Sequence, residues 1–114
     1  MVIAHLADPH LDGTEGTEDG WRAHGAMAEL EGAIAATPAV LATLVGHTHG
    51  ATWTTFGGRP LIVAPGIHSA GRTRLDALIG EQTLIDTAAP PAYLLHTIEG
   101  TQLISQHVPV TVAP

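Results

Sequence analysis

Two short runs in this chain set metal-ligating side chains two residues apart. Asp8-Pro9-His10 offers a carboxylate and an imidazole, and Gly46-His47-Thr48-His49-Gly50 offers two imidazoles between glycines. In extended backbone, residues i and i+2 point to the same side, so each pair can face a single ion. A carboxylate with imidazoles suits manganese, iron or zinc better than an all-oxygen cation such as magnesium. Neutral histidine is the commonest side-chain ligand for such metals. Asp-x-His is a frequent chance pattern, and a solvated polar turn would also account for the histidine pair. Position raises both runs above chance, because each directly follows a short apolar segment of strand type. With no cysteine in the chain, thiolate sites and disulfides are excluded.

For the two pairs to meet, the strands carrying them must end at a common edge. Val2 to Ala7 reads as a buried strand cut by Asp8-Pro9. Asp12 to Gly20 carries four acids, three glycines and no apolar residue, and reads as a solvated loop. From Trp21 to Thr37 the pattern is helical: Met27, Leu30 and Ile34 share a face, and Pro38 closes it. Val40 to Val45 is a second buried strand, ended by Gly46. Between His10 and His47 lie 47 − 10 − 1 = 36 residues, about one βαβ crossover. Parallel strands joined in that way bring their carboxyl ends to one rim, where ligand sites of open α/β sheets form.

The remainder is expected to be antiparallel. Thr52 to Phe56 and Leu61 to Ala64 flank a Gly57-Gly58 turn. Pro65 to Arg74 reads as a loop, Leu75 to Pro91 follows no single pattern, and Ala92 to Ile98 with Gln102 to Val108 form a closing hairpin around Gly100. The tail from Pro109 is expected to fray. The fold class is therefore α/β, one βαβ unit followed by antiparallel strands, in a single domain over residues 1–114.

Composition narrows the partners. The 114 residues are 45% hydrophobic, enough for a packed core, but only 4% aromatic. Lysine is absent, and Arg22, Arg59, Arg72 and Arg74 stand against eleven acids, for a formal charge of −7. That balance argues against a nucleic-acid polymer or an anionic membrane surface. A small phosphate ester is still permitted, because bound cations can dominate the field of a site. Neither a basic leader nor an apolar run of spanning length is present, so a cytoplasmic location is expected.

The two runs, in this order, resemble the calcineurin-like metallophosphoesterases, which open with Asp-x-His after the first strand and close their site with Gly-His-x-His. The bacterial cyclic-nucleotide phosphodiesterase branch is similar at Ile3-Ala4-His5-Leu6-Ala7-Asp8-Pro9-His10-Leu11. It is similar again at Val45-Gly46-His47-Thr48-His49, Phe56-Gly57-Gly58-Arg59-Pro60 and Val63-Ala64-Pro65-Gly66. The resemblance implies part of an αββα sandwich, with Asp8, His10 and His49 on one divalent metal (Mn, Fe or Zn) and His47 on a second. It implies hydrolysis of a phosphodiester or phosphomonoester, a cyclic nucleotide being one candidate, by a metal-bound hydroxide. Two ions about 3.5–4 Å apart would clamp the phosphate.

The family's Gly-Asp-x-x-Asp and Gly-Asn-His motifs are missing here, as is a further histidine ligand. The chain reads as joined across an internal deletion, with a seam near residues 22–29. Two functions follow: a metal-dependent phosphoesterase, or a non-catalytic remnant that self-associates through exposed sheet edges. A cupin would need a Glu shortly after the His-x-His pair, and Ala51-Thr52-Trp53-Thr54 has none. Amidohydrolases place His-x-His near the N-terminus. His68, in the loop after Pro65-Gly66, is a candidate for substrate contact. By strand alternation His5 faces away from Asp8, and His24 is expected to be exposed at the helix start. His96 and His107 are expected to face solvent or a neighbouring strand, Arg59, Arg72 and Arg74 to be solvated, and Trp53 and Phe56 to be core or edge residues.

Overall fold

The computed structural model describes residues 2–5, 18–71 and 85–111, with side-chain surroundings from residue 25 onward within those ranges. Strand β1 (Val2–His5) leads to helix α1 (Glu18–Ala35) and strand β2 (Val40–Val45). Strands β3 (Thr52–Phe56) and β4 (Arg59–Val63) follow, then the short strands β5 (Ala70–Gly71) and β6 (Ile85–Asp86). Strands β7 (Ala92–Glu99) and β8 (Gln102–Pro109) close the chain.

The principal sheet has the order β1-β2-β4-β3. β1 pairs with β2 in parallel, so the first three elements are a βαβ unit. β2 also pairs in parallel with β4, and β3 lies antiparallel on the outer side of β4. Pro60 is paired only across to Thr55 of β3, before the β2 ladder begins at Leu61. Its missing N–H therefore breaks no bond of the central ladder.

Helix α1 starts three residues earlier than the apolar period suggests and stops at Ala35. Glu18 and Asp19 belong to its first turn rather than to a loop. Ile34 is buried, with Met27 and Leu30 partly so, and these three form the packing face that their spacing predicts. The β3–β4 turn docks on this helix. Gly57 has a positive φ of 56° and its N–H donates to Glu31 Oε1 at 3.3 Å. A side chain at Gly57 would meet the Glu31 carbonyl at 2.7 Å and Ile34 Cγ2 at 3.0 Å.

β7 and β8 pair over their full lengths, Ala92↔Pro109 to Glu99↔Gln102, around the Gly100 turn. The ladder includes Pro109, which the sequence places in a fraying tail. Across the ladder His96 Nδ1 is hydrogen-bonded to Ser105 Oγ at 2.8 Å, whereas His107 is exposed. The hairpin meets the principal sheet at its base, where the Ala92 N–H donates to the Gly66 carbonyl at 3.5 Å. The chain is thus mixed α/β. No helix among the described residues is long and apolar enough to cross a membrane.

The core holds Ile34, Val40, Ala42, Ile62, Val63 and Ala92, together with one unusual member. Thr43, in the middle of β2, is 0% exposed, and its Oγ1 has no hydrogen-bond partner. A buried hydroxyl without a partner keeps its desolvation cost and gains nothing in return. Thr43→Val, nearly the same shape, is expected to raise the unfolding free energy by about 1 kcal/mol in urea titration. A loss of similar size would show that the hydroxyl is paired.

Candidate metal centre

Because β1, β2 and β4 run in parallel, their carboxyl ends share one rim. His5 at the end of β1 stands beside Leu44, and Val63 at the end of β4 stands beside Val45. The Gly46–Gly50 run leaves β2 at this rim, and residues 64–69 leave β4 beside it. Asp8 and His10 follow the end of β1 by three and five residues and lie outside the described residues. The expectation that the crossover brings β1 and β2 to one edge is met, and the strand that leads into Asp8 is the direct neighbour of the strand that leads into His47.

The sharp turn at the histidine pair is made by the histidines themselves. His47 has φ 77° and His49 φ 60°, while neither Gly46 nor Gly50 has a positive φ. The flanking glycines are thus not the residues that take the left-handed conformation. The Thr48 N–H donates to the Gly46 carbonyl at 3.1 Å, which puts His47 at the centre of a three-residue turn. With a positive φ at its centre, this is the rare and strained form of the γ-turn. Non-glycine residues in such conformations cost about 1–3 kcal/mol each and persist only where the surroundings over-determine them.

Those surroundings are visible at His49. Its carbonyl accepts two backbone N–H groups, from Gly66 at 3.1 Å and Gly71 at 2.9 Å. Its ring Nδ1 is hydrogen-bonded to Ser69 Oγ at 2.7 Å. A side chain at Gly66 would strike the Ser69 carbonyl and come within 2.9 Å of His49 Cγ and 3.0 Å of its Cβ. At Gly71 it would strike the Thr48 carbonyl and stand 2.9 Å from the Gly50 nitrogen. Both positions need glycine because other backbone or an imidazole already fills the space a Cβ would take.

The turn opens onto a cleft of about 530 Å³. Among the described residues it is lined by His47, Thr48, His49, Gly50 and Thr52, together with Gly71 and Ile85 of the β5–β6 pair. His47 is exposed and His49 is partly buried. His68 is exposed and is not among the described residues lining this cleft. Ser69, 3% exposed, belongs instead to the support of His49, a role that its place in a polar loop does not signal.

The donor set fits part of a metal's coordination shell. Two imidazoles line one cleft, and the tie from His49 Nδ1 to Ser69 leaves its Nε2 as the ring nitrogen available to a ligand. Among the described residues, no three His, Cys, Asp or Glu side chains gather closely enough to hold an ion. Any further ligands must come from outside them; Asp8 and His10 follow the adjacent strand in sequence and lie outside the described residues. Comparison with protein-family models finds no match to this chain, and neither does comparison with curated proteins.

The strained turn yields a direct comparison. His47→Gly and His47→Ala both delete the imidazole, but only glycine accepts a positive φ without penalty. The glycine variant is expected to unfold at a higher urea concentration than the alanine variant, by about 1 kcal/mol. Equal stability would mean that no backbone strain is stored at His47.

Proposed function

We propose that this chain is a metal-dependent phosphoesterase whose cation site lies at the carboxyl rim of the β1-β2-β4 sheet. The main support is the pair His47 and His49, held in costly backbone conformations on an open cleft after β2, the strand with which β1 pairs. Strain of that kind is kept where it serves a site. In this reading Asp8, His10 and His49 hold one cation, and His47 belongs to a second. Manganese, iron or zinc match a mixed carboxylate and imidazole set. Bound there, such a metal supplies Lewis acidity toward a phosphoryl oxygen and activates a water. The protein's own part is to fix the imidazoles, to give the ester a cleft of suitable size, and to leave the rim open to solvent.

On this reading the βαβ unit and the β3–β4 pair are one part of an αββα sandwich, as the resemblance to metallophosphoesterases implies. It makes a small phosphate ester the substrate class, with a cyclic nucleotide as one member. A cleft of about 530 Å³ lies within the usual range for small-molecule sites, about 300–1,000 Å³. The chain contains neither Gly-Asp-x-x-Asp nor any asparagine, so the second cation has one proposed protein ligand, His47. One tightly held metal per chain is therefore expected, together with slow turnover.

A second reading, a non-catalytic remnant that self-associates, is favoured by one observation. Among the described residues, β3 is an edge of the principal sheet, and β7 and β8 form a two-stranded sheet. Unpaired strand edges invite a second copy.

Metal content after dialysis against manganese is expected to be about one ion per chain, and His49→Ala is expected to lose most of it. Manganese-dependent hydrolysis of a chromogenic phosphodiester is expected to fall at least tenfold in His47→Ala. Equal, negligible metal in wild type and His49→Ala would end the phosphoesterase reading. Stoichiometric metal without hydrolysis, in a chain that elutes as an oligomer, would support the remnant.

A further inference from the structure

We infer that Ser69 is a positioning residue for His49, locking its ring as the Nδ1–H tautomer so that the Nε2 lone pair faces the cleft. This inference rests on the metal-site reading above and adds a residue to it. The Ser69 hydroxyl lies 2.7 Å from His49 Nδ1, and Ser69 is 3% exposed. A serine this close to an imidazole invites comparison with a nucleophile and its base, but a nucleophile must reach substrate. Ser69 is buried and is not among the described residues lining the cleft.

The 2.7 Å contact is compatible with either polarity, and the Nδ1–H polarity is the one that a cation at Nε2 would require. A neutral imidazole has one N–H and one lone pair. If Nδ1–H donates to Ser69 Oγ, Nε2 keeps its lone pair and can bind a cation. The opposite polarity would place an N–H at Nε2 and exclude the metal. Histidine ligands are commonly oriented in this way, by a partner on the nitrogen that does not meet the metal.

The rest of the pocket leaves the ring little freedom. The Gly66 backbone packs so close to His49 that an added Cβ would lie 2.9 Å from Cγ, and the His49 carbonyl is tied to both Gly66 and Gly71. Backbone contacts thus fix where the ring sits. Ser69 Oγ is the hydrogen-bond partner of Nδ1, and a hydroxyl there can accept from Nδ1–H or donate to a bare Nδ1.

The test uses the full chain labelled with 15N-histidine and needs no turnover. Nitrogen chemical shifts of metal-free wild type are expected to report the Nδ1–H tautomer at His49, and Ser69→Ala a mixture of both. Manganese affinity of Ser69→Ala is expected to fall about 10–100-fold. Ser69→Thr, which keeps the hydroxyl, is expected to stay near wild type in tautomer and affinity. An Nε2–H tautomer in wild type overturns the inference, whether or not Ser69→Ala folds. So does unchanged manganese affinity in a folded Ser69→Ala protein, while the phosphoesterase reading then stands. A wild type that shows the Nδ1–H tautomer but takes up no manganese overturns that reading, and with it any positioning role toward a metal.

Discussion

The His49 carbonyl, accepting N–H groups from both Gly66 and Gly71, is the interaction on which the rim depends. It ties the loop leaving β2 to the loop leaving β4, and through Gly71 to the β5–β6 pair. An acceptor shared by two donors satisfies a carbonyl's two lone pairs and fixes three chain segments at one point. Gly66 then supplies a second tie through its own carbonyl, which accepts the Ala92 N–H at the base of the closing hairpin. The cleft, the exposure of His47 and the pocket around the His49 ring all follow from where these segments are pinned.

That pinning opposes a cost elsewhere. His47 and His49 occupy backbone conformations that favour glycine, and Thr43 buries a hydroxyl without a partner in the same strand that leads into them. Such departures from the locally favourable choice are expected at sites of function more than in the scaffold. The parallel pairing of β1 with β2 and β4 supplies the rigid frame that can sustain them. Strain of about 1–3 kcal/mol at each such residue takes a sizeable share of a typical net stability of about 5–15 kcal/mol.

Strand periodicity and turn residues made much of this frame readable. β2 and β3 occupy the segments their composition indicates, because β-branched runs bounded by Gly or Pro leave few alternatives. The helix face of Met27, Leu30 and Ile34 was legible for the same reason, whereas its start was not. Acidic residues in a first turn look the same in sequence as a solvated loop. The β5–β6 pair was hidden, since two-residue strands have no period to detect. At the site, the His-x-His pair was legible as chemistry, but its geometry was not. Nothing local announces that histidines rather than their neighbouring glycines will take positive φ, because the cause is tertiary: the two donors to the His49 carbonyl. Ser69 and Gly66 were invisible for a related reason, as they act only through contacts made some twenty residues away.

The central claim is that Asp8 and His10 meet His49 around one cation at the β1–β2 rim, with His47 beside it. Substoichiometric manganese added to 15N-labelled protein tests this directly, since a paramagnetic ion broadens the amide signals nearest to it. The account expects the amides of Asp8, His10, His47 and His49 to disappear together at the first additions, ahead of those in the acidic stretch from Asp12 to Asp19. Broadening that begins in that acidic stretch, or that touches the histidine turn and leaves Asp8 and His10 sharp, would contradict it.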